Sequence, residues 1–166
     1  MIQRAQTIYL GLAFLCMVLL LFFPIFSVEM SSANGDVSLA GMVNKDGVVI
    51  DGMEASGIPL SGFFIGLALF SMACILMYKK RPRQLLLTRL NLILHALFIL
   101  AIYIFYYFGK SLVQEGVSAS SDVTVHVTFF MEVGFFLLIP TVAFIYLAVR
   151  GIKRDENLVQ SLDRLR

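Results

Sequence analysis

Four long apolar runs separated by short polar breaks dominate this chain. The first covers about 7–26, reads TIYLGLAFLCMVLLLFFPIF and holds no charged residue. The others cover about 58–78, 84–109 and 126–149. Each meets the roughly 20 apolar residues that a helix needs to cross a bilayer. The pattern predicts an all-α membrane protein, a four-transmembrane-helix bundle. Spans of this extent leave little chain for a soluble domain. Residues 1–166 are therefore expected to form one transmembrane domain, with a cytoplasmic tail over 150–166.

The breaks have their own patterns. Residues 1–4 and the first run resemble a signal peptide, but Phe26-Ser27-Val28 is a poor cleavage site, so the run reads as a retained anchor. Pro24 suits the last turn of that helix. The break over 27–57 carries Glu29, Asp36, Asp46, Asp51 and Glu54 against a single Lys45. Turn signals stand at Asn34-Gly35, Asp46-Gly47 and Asp51-Gly52. The stretch Asn44-Lys45-Asp46-Gly47 would close a small β-hairpin between two β-prone pieces, 37–43 and 48–50. Pro59 suits the first turn of the second helix.

Composition and charge sharpen this picture. The chain is 59% hydrophobic and only 14% charged, with a mean hydropathy of +0.87. A soluble domain is nearer 45–50% apolar and about 25% charged. Of the 13 basic residues, all but Lys45 and Lys110 lie at the N-terminus, in the turn before the third span and its first residues, or in the tail. By the positive-inside rule, that central turn and both termini are cytoplasmic. The acidic first break and the Ser-rich third break then face outward. Cys16 and Cys74 fall inside apolar runs and read as small buried hydrophobes.

Few residues carry candidate chemistry. Glu132 is the sharpest, because an ionisable side chain inside a span is costly and marks function by default. It lies about six residues, or roughly 9 Å, below the outer end of its span. Tyr103, Tyr106 or Tyr107 could donate a hydrogen bond to it. His95 falls mid-membrane and suits an interhelical hydrogen bond; one histidine is short of a metal site. Asn91 and Arg89 sit in the first turns of the third span, where Arg89 can reach the headgroups. The cluster of Lys79, Lys80, Arg81, Arg83 and Arg89 sets topology and can attract anionic lipid. Gly62 and Gly66 form a small-xxx-small pair suited to helix packing. In the tail, Leu158, Val159, Leu162 and Leu165 share one face of an amphipathic cytoplasmic C-terminal helix. Such a helix can lie on the membrane, or dock through Asp155, Glu156, Leu158, Leu162 and Arg164 on a partner or on its own bundle; docking is the preferred reading. Asp155 and Glu156 could pair with Arg81, Arg83 or Arg4.

Several stretches carry a resemblance. Met1-Ile2-Gln3-Arg4 with Thr7-Ile8-Tyr9-Leu10, then Phe22-Phe23-Pro24, then Gln84-Leu85-Leu86-Leu87-Thr88-Arg89-Leu90-Asn91 look like parts of one known family. The run from Ile152 to Arg166, IKRDENLVQSLDRLR, is the most specific. The chain resembles an uncharacterised family of small four-span inner-membrane proteins from Bacteroidota, a domain of unknown function. The resemblance spans the chain and is loosest in the loops. It implies a multi-pass protein of the bacterial inner membrane and no reaction.

There is no Gly-rich phosphate loop, Ser-His-Asp arrangement, CxxC or HExxH, and no repeat between the halves. The reading is a non-enzymatic accessory or assembly subunit of a membrane complex. It needs no cofactor or metal and has no nucleic-acid partner. Its partners would be the lipid bilayer and another membrane protein or a second copy of itself. The alternatives are a small channel or transporter subunit using Glu132 and His95, or a lipid- or quinone-binding membrane protein.

Overall fold

A computed structural model describes residues 2–32, 38–44, 46–50, 60–79, 81–120 and 125–163. The chain runs α1 (Ile2–Leu19), β1 (Phe26–Ser32), β2 (Ser38–Asn44), β3 (Gly47–Ile50), α2 (Ser61–Leu76), α3 (Arg81–Ser120), β4 (Val125–Met131) and α4 (Val133–Asp163). A short 3₁₀ turn, Met77–Lys79, links α2 to α3. Lys45, Pro59, Lys80, Arg164 and the turn signals at Asn34-Gly35 and Asp51-Gly52 lie outside the described residues.

The four-transmembrane-helix bundle is overturned. Among the described residues only two helical stretches, Pro82–Gly109 and Val133–Val159, are long and apolar enough to cross a membrane. The apolar parts of the other two, Ala5–Leu19 and Ser61–Leu76, are shorter. At 1.5 Å per residue they reach about 22–24 Å, less than the roughly 30 Å of a hydrocarbon core. The missing length has gone into a sheet. Residues 26–32, which overlap the end of the first expected span, form β1, and residues 125–131, read as the start of the fourth, form β4.

Local sequence explains both conversions. α1 ends at Leu19, five residues before Pro24. The next amide groups turn back tightly, with Leu21 N–H donating to Val18 O and Phe22 N–H to Leu19 O. Proline then holds the preceding residue out of helical geometry and turns the chain toward β1. In β1, Phe26 and Val28 are buried, Ser27 is half-buried and Glu29 is exposed. In β4, Phe129 is buried between exposed Thr128 and Phe130. This period of two is that of a strand with one covered face.

The sheet has the order β3-β2-β1-β4, antiparallel throughout. The hairpin expected at Asn44–Gly47 is present, with Asn44 opposite Gly47. It is the outer half of this larger sheet rather than a free ornament. Val28 faces Phe129, and Phe26 faces Val43 on one side and Met131 on the other.

The covered face of the sheet rests on the helices. Phe26, Val28, Val43 and Phe129 join Met17 and Leu20 of α1 and its turn, Phe64 and Ala68 of α2, Ile102 of α3 and Leu138 of α4 in one core. Phe26 is its aromatic centre, with ring centroids 5.4 Å from Tyr106, 5.9 Å from Phe135 and 6.2 Å from Phe129. A second core, Leu10, Cys74 and Ala148, lies farther from the sheet. Helix α1 packs on α4 and α2, and α3 packs on α4 and α2.

One close approach fixes the sheet to α4. Gly134 N–H donates to Pro24 O at 2.9 Å, and Glu132 N–H donates to Ile25 O at 3.0 Å. A Cβ on Gly134 would stand 2.3 Å from Pro24 O, so this position requires glycine.

The remaining expected boundaries also move. α3 continues unbroken from Arg81 to Ser120, through much of the stretch read as an outer loop. The tail is no separate helix but the last turns of α4, which reaches Asp163.

Candidate functional site

A polar seam runs along α3 where it meets α2. Gln84, Thr88, Asn91 and His95 are spaced i, i+4, i+7, i+11, which places them on one helical face. All four are buried, as is Ser71 of α2. Gln84 Nε2 donates to Cys74 O at 3.2 Å, and Thr88 Oγ1 donates to Gln84 O at 2.8 Å. Asn91 Nδ2 donates to Ser71 Oγ at 2.9 Å. The seam therefore latches α3 to α2 at two levels.

His95 closes the seam toward the sheet. Its Nδ1 lies 2.9 Å from the Asn91 carbonyl oxygen. A carbonyl only accepts, so Nδ1 carries the proton and Nε2 is left as an acceptor. Nε2 of His95 and Oδ1 of Asn91 are both buried without a partner. Two acceptors thus sit one turn apart in an apolar interior, where an unmet polar group costs about 1–3 kcal/mol. The donor that suits them is a hydroxyl or a water.

Glu132 is not inside a helix. It occupies the single residue between β4 and α4, half-buried, and accepts a hydrogen bond from Ser27 Oγ at 2.8 Å. Its carbonyl accepts from Phe135 N–H at 3.0 Å in the first turn of α4. The carboxylate pins β1 to the start of the helix, at the positive end of the helix dipole, where negative charge is favoured. Its partner is Ser27 and not one of the three tyrosines. Tyr106 instead packs on Phe26 and Phe129. Tyr103 and Tyr107 are exposed.

At the opposite end of the helices, Gln6 of α1 donates through Nε2 to Asp155 Oδ2 of α4 at 2.6 Å, with both residues buried. The face of α4 turned inward here is Ala148, Ile152 and Asp155. Leu158 and Val159 are exposed, and Glu156 is half-buried. The tail thus docks on its own chain through a different face from the apolar one read in the sequence. Arg83 and Arg89 are exposed; the side chains of Lys79, Arg81, Arg4 and Leu162 lie outside the described residues. Gly62 and Gly66 face open space, with nothing within 4 Å of a Cβ at either position.

Sequence reasoning singled out Asn91 and His95 but missed Gln84, Thr88, Ser71, Gln6 and Ser27. The seam had a readable signal, a row of polar residues at helical spacing inside an apolar run. Gln6 and Ser27 had none, because their partners are 149 and 105 positions away. Cys16 and Cys74 are free and buried. Among the described residues no three His, Cys, Asp or Glu side chains converge as metal ligands.

Comparison with known proteins places the chain in a family. Residues 2–165 match a family described as a domain of unknown function, DUF4293, and the chain belongs to it. No curated protein matches it.

Proposed function

For this DUF4293 member, we propose a non-enzymatic accessory or assembly subunit of a complex in the bacterial inner membrane. The observation that carries it is the contrast between its surfaces. Two pairs of polar groups in the helical interior latch helices together, Ser71 with Asn91 and Gln6 with Asp155. The outward surfaces of the two long helices instead show Ile93, Leu97, Leu100, Ile104, Phe136, Ile139 and Tyr146. Large exposed apolar surface marks a face made for lipid or for a partner protein. In this reading α3 and α4 cross the bilayer, α1 and α2 pack along them, and the sheet lies on the outer side. The basic ends of α3 and α4 lie in the cytoplasm, as the charge distribution favours.

The test is extraction of the tagged protein in mild detergent after crosslinking, followed by mass spectrometry of what it retains. A stoichiometric membrane-protein partner supports the proposal. A monomer that releases from membranes in alkaline carbonate, without detergent, overturns it.

A second reading, binding of a hydroxyl-bearing ligand such as a quinol, has one observation in its favour: the two acceptors at Asn91 and His95. It expects a co-purifying small molecule that is lost from Asn91→Leu. A channel using Glu132 has less support, since that carboxylate is engaged with Ser27 at the sheet.

A further inference from the structure

The last turns of α4 have two faces with different neighbours. On the inner one, Ala148 packs with Leu10 of α1, and Asp155 is bonded to Gln6. The outer one presents Arg150, Lys153, Arg154 and Asn157, all exposed, which line a groove of about 490 Å³ together with Leu158. These positions are i, i+3, i+4 and i+7, so the three cations stand on neighbouring turns of one helical face. Like charges so placed weaken a helix. Of the two neighbouring carboxylates, Asp155 is turned inward to Gln6, and Glu156 is half-buried and does not line the groove. The face is therefore built for an anion from outside the chain.

Its position along the helix selects which anion. The uncharged part of α4, 133–149, is about 25 Å long at 1.5 Å per residue, and 150–157 occupy roughly the next 12 Å. The apolar part falls about 5 Å short of the roughly 30 Å hydrocarbon core, and a headgroup layer is about 5–7 Å deep on each side, so 150–157 span the inner edge of the core and the headgroups beside it. Leu158 and Val159, 49% and 40% exposed, adjoin the cations. They continue toward the cytoplasm, away from the hydrocarbon core, so it is the headgroup level of the three cations that favours a phospholipid over a soluble anion.

We propose that this groove binds the headgroup phosphate of an anionic phospholipid. Arg150 and Arg154 supply forked N–H donors, Lys153 supplies a point charge, and Asn157 reaches the headgroup hydroxyls. The proposal rests on the membrane reading above.

The experiment uses the full chain in nanodiscs of phosphatidylcholine with a minor share of phosphatidylglycerol, and weighs the lipids retained after transfer to detergent. Phosphatidylglycerol is expected to be enriched roughly tenfold over its input share at low salt, and much less at high salt. The variant Arg150→Gln/Lys153→Gln/Arg154→Gln should lose the enrichment, while Arg83→Gln/Arg89→Gln, which removes two cations of the other basic cluster, should lose only a minor part of it. Equal losses in both charge variants would mean that bulk charge alone acts, and would overturn the site. So would displacement of the lipid by millimolar inorganic phosphate. Salt dependence of the unmodified protein gives a readout that needs no variant to fold. A protein that never enters nanodiscs sinks the membrane reading itself; one that enters without enriching phosphatidylglycerol sinks only this inference.

Discussion

The Asn91–Ser71 pair shows how a polar contact in an apolar interior is judged by what remains when half of it is removed. Ser71→Ala leaves Asn91 Nδ2 buried without a partner, and the expected loss is about 1–3 kcal/mol in thermal unfolding of the detergent-solubilised protein. Ser71→Ala/Asn91→Leu removes both polar partners and should recover most of that loss. A double variant no better than the single would mean the seam has a role beyond latching. Glu132 makes a separate case. Glu132→Gln keeps an oxygen to accept from Ser27, so it should change stability little, whereas Glu132→Ala should cost about 1 kcal/mol or more. If Glu132→Gln instead abolished a cellular phenotype while the protein accumulated normally, the carboxylate would be an ion site after all. The sequence marked Asn91, His95 and Glu132 as unusual because each is polar within an apolar run. It could not separate the first two, which are buried between helices, from the third, which lies at a strand–helix junction.

At the scale of elements, the two glycine contexts give opposite expectations. Gly134 abuts Pro24 O, and alanine there must push the start of α4 off the sheet. Gly134→Ala should therefore prevent accumulation of folded protein. Gly62 and Gly66 lie in a helix with open space around them. Alanine at either should stabilise the isolated protein by up to about 1 kcal/mol through helix propensity. Loss of stability in Gly62→Ala or Gly66→Ala would show that the pair is packed against something in solution. The elements were only partly legible beforehand. The long apolar helices α3 and α4 were plain from run length. β1 and β4 were hidden because their residues continue apolar runs, and hydropathy averaged over a window does not distinguish a covered strand from a helix. The alternation Phe26-Ser27-Val28-Glu29 was present, but it becomes decisive only once β4, some hundred residues later, supplies the partner strand.

Over the whole molecule, the Gln6–Asp155 hydrogen bond and the sheet hold opposite ends of the helices, and the charges distinguish those ends. Gln6→Ala and Asp155→Ala should be coupled, the double variant losing less than the sum of the singles, because a hydrogen bond to a carboxylate contributes about 1.5–3 kcal/mol. The same end-to-end asymmetry makes orientation measurable. Met42 is exposed on the sheet and Ser161 is exposed near the end of α4, while native Cys16 and Cys74 are buried and give little background. In intact spheroplasts, a membrane-impermeant maleimide should label Met42→Cys and spare Ser161→Cys until the membrane is permeabilised. The physical reason is the excess of arginine and lysine near the α2–α3 turn and along the end of α4, which resists translocation. The reverse labelling would turn the molecule over and put the cationic groove of α4 on the outer surface. Labelling of both before permeabilisation would mean that α3 and α4 do not separate two compartments, and the apolar surface they share would then have to be covered by protein alone.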